Sequence, residues 1–191
     1  MRIGILALQG AFIEHQHMLD KIKIDSFQIR QKSDLNQHMD GLIFPGGEST
    51  AMHRLLLDLD LYDDLKSMVM NGLPVFGTCA GMILLANEIS NQKTKHFQLM
   101  DITVERNAYG RQLGSFLTND TFDQVNIPMT FIRAPYIKKY GANVEILSTV
   151  KDRVVAAREN NMLVTAFHPE LTNSFYVHEY FISMIKKSNN S

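Results

Sequence analysis

Gly77-Thr78-Cys79-Ala80-Gly81 carries the one cysteine of the chain, between an apolar strand pattern and an apolar helix pattern. Gly-x-Cys-x-Gly at a strand-to-helix junction is the thiol counterpart of a nucleophile elbow. The glycines permit a turn too tight for side chains, and the nucleophile stands at its apex. The start of a helix adds unpaired N–H groups and the positive end of a dipole, an environment that suits an anionic sulfur. A small buried cysteine beside two turn glycines gives the same pentapeptide. Residues elsewhere in the chain must decide between packing and chemistry.

A cysteine nucleophile needs a base, and the base needs a group that orients it. There are seven histidines. His15, His17, His38, His53, His96 and His178 fall on helix patterns or polar loops, where solvated surface is the expectation. His168 differs, because it directly follows the last strong strand pattern in Phe167-His168-Pro169-Glu170. Residues i and i+2 of an extended chain point the same way, so Glu170 can reach the His168 imidazole while Pro169 fixes the backbone between them. A carboxylate on one ring nitrogen sets the tautomer and leaves the other nitrogen for the thiol. Alone, His-Pro-Glu fits a structural turn equally well. It gains weight because its strand end and that of Cys79 belong on one edge of a sheet.

The oxyanion of a tetrahedral intermediate needs donors. Pro45-Gly46-Gly47-Glu48-Ser49 can turn the Gly47 N–H toward it, and the Ala80 N–H, next after the nucleophile, is the natural second donor. The same glycines without a ligand would be a tight βα turn. They lack the Gly-Lys-Ser/Thr of a phosphate loop and the Gly-x-Gly-x-x-Gly spacing of a dinucleotide site. No metal site is expected, since His15 and His17, two apart on a helix pattern, face different directions.

These groups must be placed by strands and helices. Arg2 to Leu8 is an apolar run that ends at Gln9-Gly10, and a helix pattern follows from about Ala11 to Lys23. Ser26 to Arg30 reads as a weaker strand. Asp40 to Phe44 reads as a strand stopped by glycines, with Ser49 or Thr50 able to cap the next helix. Residues 60–71 read as a helix and Leu73 to Phe76 as the strand entering the elbow. The helix after Cys79 carries Met82, Ile83, Leu85, Ala86 and Ile89 and is apolar around most of its circumference. From about Phe97 to Ala157 the pattern changes to strands and turns: Met100 to Glu105, Phe131-Ile132, Val144 to Leu147 and Val154 to Ala157. Met162 to Phe167 is one more central strand, and Phe175 to Lys187 a closing helix. Strands alternating with helices predict an α/β fold, a flavodoxin-like three-layer parallel sheet with a nucleophile elbow and a β-rich insertion at 97–157. Residues 1–191 read as a single domain. In such sheets ligands bind beyond the carboxyl ends of the strands.

The bulk numbers exclude several classes. A net charge of −1 with no long basic run makes no electrostatic case for nucleic acid or an anionic membrane as partner. One cysteine precludes an internal disulfide and favours a reducing, cytoplasmic setting. The N-terminal run resembles a signal start but reaches polar Gln9-Gly10 too soon. No apolar run approaches the about 18 residues of a membrane span.

Pro-Gly-Gly-Glu-Ser, Gly-Thr-Cys-Ala-Gly and Phe-His-Pro-Glu, in this order and spacing, resemble a class I (triad) glutamine amidotransferase domain. Further blocks narrow the match: Leu8-Gln9-Gly10-Ala11 with Glu14-His15, Val104-Glu105-Arg106-Asn107 with Gly110-Arg111-Gln112, and Phe131-Ile132-Arg133-Ala134-Pro135. Together they resemble the glutaminase subunits of pyridoxal 5′-phosphate synthases, over nearly the whole chain.

The resemblance implies roles. Cys79 would attack the carboxamide carbon of L-glutamine, with His168 as general base and Glu170 as its orienting partner. The N–H groups of Gly47 and Ala80 would receive the oxyanion. Gly47, Glu48, Ser49, Arg106, Ile132 and Arg133 match the family's glutamine-binding positions. Ammonia would pass to a separate synthase subunit within a large hetero-oligomer, and Leu8-Gln9-Gly10 is the expected contact that orders the oxyanion hole. Pyridoxal 5′-phosphate would then be a product of the complex, with no cofactor on this chain. The alternatives are a glutaminase subunit of another amidotransferase, a DJ-1/PfpI-like hydrolase, or a non-catalytic binding module.

Overall fold

The computed structural model describes residues 1–90, 92–106 and 114–188. Asn107, Gly110, Arg111 and Gln112 of the blocks above lie outside the described residues. In chain order the first half comprises β1 (Arg2–Leu6), α1 (Phe12–Lys21), β2 (Asp25–Ile29), β3 (Gly41–Phe44), α2 (Ser49–Asp58), α3 (Tyr62–Met70), β4 (Val75–Thr78) and α4 (Ala80–Leu85). The second half comprises β5 (Ala86–Ile89), β6 (Met100–Glu105), β7 (Ser115–Phe122), β8 (Val125–Ile132), β9 (Tyr136–Tyr140), β10 (Glu145–Val150), β11 (Arg153–Glu159), β12 (Met162–Thr165) and α5 (Tyr176–Ser188).

The short apolar runs become central strands because both faces of a parallel sheet are covered by helices. Every residue of β3, β4 and β12 is buried. Strands β2, β1, β3, β4 and β12 lie side by side and mutually parallel, the flavodoxin-like order with β12 in fifth place. The β-rich segment continues the same sheet. Antiparallel β11, β9 and β6 extend it past β12, β5 closes the edge parallel to β6, and β10 pairs with β11.

The helix read through Ala86 and Ile89 stops at Leu85 instead. Ala86 turns extended (ψ 141°), and Ala86–Ile89 becomes β5. Residues 80–85 are all buried, so no polar face marked where the helical period ended. The insertion holds more strands than its sequence pattern predicts: β7, most of β8 and β9 come in addition. Strands β7 and β8 form a two-stranded hairpin whose central residues Asp123 and Gln124 both have positive φ (44° and 68°), the geometry of a type I′ turn without its usual glycine. Pro128 is tolerated in β8 because that strand pairs on one side only. Helix α2 begins at Ser49 itself, with Glu48 rather than Ser49 or Thr50 at the cap position.

Three of the six histidines assigned to solvated surface are interior. His15 and His178 are fully buried and His96 is 3% exposed; His17 and His38 are exposed. The buried side chains of α1 fall at 15, 18 and 19, and those of α5 at 177, 178, 181, 182, 184 and 185. Those spacings put His15 and His178 on the core faces of their helices.

Candidate active site

The carboxyl ends of β1, β3, β4 and β12 open onto one cleft of about 1140 Å³. Gln9 and Gly10 reach it from beyond β1, Gly46 to Ser49 from beyond β3, Cys79 from β4 and His168 from beyond β12. Arg106, Ile132 and Arg133 complete the set of predicted binding residues on its wall. Strand order alone brings together residues more than 150 positions apart.

Cys79 sits at the elbow with φ 49° and ψ −97°, a strained conformation for a residue with a side chain. Its neighbours hold it there. The Cys79 N–H donates to the Thr165 carbonyl of β12 at 2.7 Å. Behind it α4 is pressed so close to β3 that a Cβ on Gly81 would fall 2.1 Å from the Phe44 carbonyl oxygen. Cys79 is 8% exposed and His168 6%, and both line the cleft.

His168 lies beside Cys79 in the cleft lining, and its Nδ1 lies 2.7 Å from Glu170 Oε1. Glu170 is the middle residue of the short 3₁₀ turn Pro169–Leu171, so this turn, rather than the extended chain that the i, i+2 spacing suggested, carries its carboxylate behind the imidazole, out of the cleft. Burial alone would push His168 down. The polar contact with Cys79 and the hydrogen bond and charge of Glu170 outweigh it and raise the imidazole to about 10. The imidazole therefore sits between the Cys79 side chain and the Glu170 carboxylate.

The β3–α2 loop meets the other side of the His168 ring. A Cβ on Gly46 would lie 2.3 Å from His168 Cε1, so that backbone packs directly on the ring. The segment after β1 suspends the loop: Ala11 N–H donates to the Gly46 carbonyl at 3.0 Å, and Glu48 N–H donates to Gln9 Oε1 at 2.8 Å. Ala80 is fully buried as the first residue of α4, and its side chain does not reach the cleft. Across the opening, Arg106 Nη1 lies 3.4 Å from both Thr50 Oγ1 and Gln92 Oε1. Arg133 adopts a positive φ of 45° and its N–H donates to the Gly114 carbonyl at 2.6 Å, while Ile132 is 41% exposed at the mouth.

Glu14, Ile83 and Leu171 also line the cleft but were not among the predicted site residues. Glu14 lies on α1 just ahead of buried His15, so the helical period that buries His15 could have placed its neighbour at the rim. Among the described residues no group of three or more His, Cys, Asp or Glu could hold a metal ion, and no helix is long and apolar enough to cross a membrane.

Residues 5–187 match the model of the SNO glutamine amidotransferase family. The chain is 57% identical over 190 residues to "Pyridoxal 5′-phosphate synthase subunit PdxT" of Haemophilus influenzae (strain PittEE), covering 97% of this chain and 99% of that protein. It is 55% identical over 191 residues to the protein of the same name from Streptococcus pneumoniae (strain CGSP14), covering 98% of each. A crystal structure of a glutamine amidotransferase superposes with a TM-score of 0.91 at 37% identity, covering 96% of this chain and 98% of the other. The chain belongs to the SNO glutamine amidotransferase family.

Proposed function

We propose that this member of the SNO glutamine amidotransferase family is the glutaminase subunit of a pyridoxal 5′-phosphate synthase. It hydrolyses L-glutamine to L-glutamate and ammonia and hands the ammonia to a synthase subunit. The observation that carries the chemistry is Cys79 beside His168 in the cleft lining, with Glu170 behind them and its Oε1 2.7 Å from His168 Nδ1. The pathway rests on the full-length likeness to the proteins named as subunits of that synthase.

In this reading the Cys79 sulfur attacks the carboxamide carbon as the imidazolium–thiolate pair with His168. The carbonyl π electrons move to oxygen, which the N–H groups of Gly47 and Ala80 receive. The C–N bond then breaks, His168 delivers its proton to the departing nitrogen, and ammonia leaves a γ-glutamyl thioester. His168, now neutral, takes a proton from water as the water oxygen attacks the thioester. Collapse of the second tetrahedral intermediate expels the sulfur and gives glutamate. Glu170 holds the tautomer and stabilises the cation at each stage. Arg106 or Arg133 can grip the substrate α-carboxylate in a bidentate pair, and Glu48 with nearby carbonyls can receive the α-ammonium. Gly47, Ser49 and Ile132 complete the pocket.

Ammonia released to water would be protonated and lose its nucleophilicity, so transfer within a hetero-oligomer fits the chemistry. Pyridoxal 5′-phosphate is the product of that assembly, and each step above uses side chains and backbone of this chain. A reducing compartment, the cytoplasm, suits its free thiol. The Gln9 to Ala11 segment, from which the oxyanion loop hangs, is where a docked synthase would act on turnover.

The test is glutamate release with and without the synthase subunit, for the wild type and for Cys79→Ala. Partner-stimulated release that Cys79→Ala abolishes is the expected result. Release surviving in Cys79→Ala would overturn the assignment of the nucleophile. High turnover without the partner would overturn the docking role of residues 9–11.

A further inference from the structure

Glu170 is 5% exposed, and its two oxygens have unequal surroundings. Oε1 takes the hydrogen bond from His168, while Oε2 is buried without any well-aligned donor among the described residues. A carboxylate oxygen left so inside a protein is costly. His15 Nε2 lies 3.5 Å from Oε2 and 3.1 Å from Thr78 Oγ1, the side chain just ahead of the nucleophile. On its far side His15 Nδ1 lies 3.0 Å from His178 Nε2, and the Phe76 ring meets both imidazoles edge-on at 5.8 Å. Helices α1 and α5 and strand β4 thus converge behind the triad on two histidines that the reaction above leaves unused.

We propose that His15, backed by His178, is a positioning residue for the triad: its Nε2–H is shared between Glu170 Oε2 and Thr78 Oγ1 and holds the carboxylate in the rotamer that gives Oε1 to His168. The proposal rests on the triad reading above. Charge and geometry assign the protons. Burial, then the neighbouring His178 and His168, lower His15 well below the usual histidine value, and burial lowers His178 to about 4, so both rings are neutral. If His15 carried its proton on Nδ1, the Nε2 lone pair would face a carboxylate oxygen. With the proton on Nε2, Nδ1 accepts from His178 Nε2–H, and the buried, unpartnered His178 Nδ1 is a bare lone pair rather than a stranded donor. One tautomer of each ring satisfies every contact except that last acceptor.

The position in the chain strengthens the argument. Ala11, immediately before α1, holds the Gly46 carbonyl, and His15 one turn later reaches Glu170. One helical turn therefore touches both the oxyanion loop and the orienter of the base. The charged and titratable groups around the His168–Glu170 pair are Cys79 from the β4–α4 elbow, His15 from α1 and, through His15, His178 from α5.

The first test is imidazole ¹⁵N NMR of the wild-type chain between pH 6 and 8, which reads both tautomers without reference to activity. Nε2–H on both rings is expected; Nδ1–H or a protonated ring at His15 overturns the proposal. The second test is glutaminase activity with the synthase subunit. His15→Leu should lower kcat by about 10- to 100-fold, the range that partners one layer out command at metal sites, with KM changed by less than about threefold. His15→Gln, whose amide can set an N–H near the place of Nε2, should recover most of the loss. Equal activity of His15→Leu and wild type, while Cys79→Ala is dead, overturns this inference and leaves the triad standing. Release surviving in Cys79→Ala sinks the triad reading instead. Should His15→Leu not fold, the wild-type tautomers decide alone.

Discussion

The Ala11 N–H donates to the Gly46 carbonyl oxygen at 3.0 Å, which ties the turn after β1 to the loop that carries the Gly47 N–H. In a planar trans peptide the N–H points opposite to the C=O, so this bond fixes the direction of the Gly47 N–H as well. The contact allows no side chain at Gly10, where φ is 92° and a Cβ would fall 1.8 Å from the Gly46 oxygen. Gly10→Ala should therefore move the loop. Glutaminase activity is expected to fall by about 100-fold or more, the scale of one lost oxyanion donor, while stability falls by about 1–2 kcal/mol. Steady-state kinetics beside a thermal melt checks both, and an active Gly10→Ala would show that this turn does not set the oxyanion donor.

Glu170→Gln keeps the shape but lets the amide face His168 in the wrong tautomer. A drop in kcat of about 10⁴-fold is expected, as for the equivalent change in a serine triad. The pH behaviour gives a second check. In the wild type His168 is raised to about 10, in part by Glu170; without the carboxylate charge its value must drop. The alkaline limb in the pH profile of Cys79 alkylation by iodoacetamide should shift to lower pH in Glu170→Gln.

The buried histidines set an acid limit. His178 is lowered to about 4 by burial, against about 6.5 in the unfolded chain. A base depressed in the folded state contributes stability that is present above pH 6.5 and is lost as pH falls toward 4. One such group is worth about 3 kcal/mol across that interval, and His15 adds to the effect in the same direction. Urea midpoints at pH 7 and pH 4.5 should therefore differ clearly, and His178→Phe should narrow the gap. His168 has the opposite sign: its raised value contributes stability below pH 6.5 that is lost as pH rises through about 10.

Gly81→Ala should be disabling for the fold. Its Cβ would meet the Phe44 backbone at 2.1 Å, where neither α4 nor central β3 has room to retreat. A loss of about 2–4 kcal/mol is expected, read as a lowered denaturation midpoint. Unchanged stability would mean that α4 can slide along β3.

Much of the site was legible because its chemistry is local. Cys79 between glycines, Gly46-Gly47 at a strand end, and Glu170 two residues after His168 are short-range patterns, although the last pair meets through a 3₁₀ turn rather than the extended chain its spacing suggested. The end of α4 was not legible, because residues buried on every side leave no period to read. The β7–β8 hairpin escaped because Asp123-Gln124 lacks the glycine that announces such turns, and only cross-strand pairing overrides that preference.

By itself the sequence determined the parts: an elbow cysteine, a histidine with a carboxylate two residues on, a glycine loop and the strands that end at each of them. Only the tertiary structure decided that β1, β3, β4 and β12 lie side by side, so that all four ends face one cleft. It also turned His15 and His178 from apparent surface groups into the buried support beneath Glu170. The physical reason is range. Turn chemistry and capping act within a few residues, whereas burial and the pairing of distant polar atoms depend on which elements the whole core brings together.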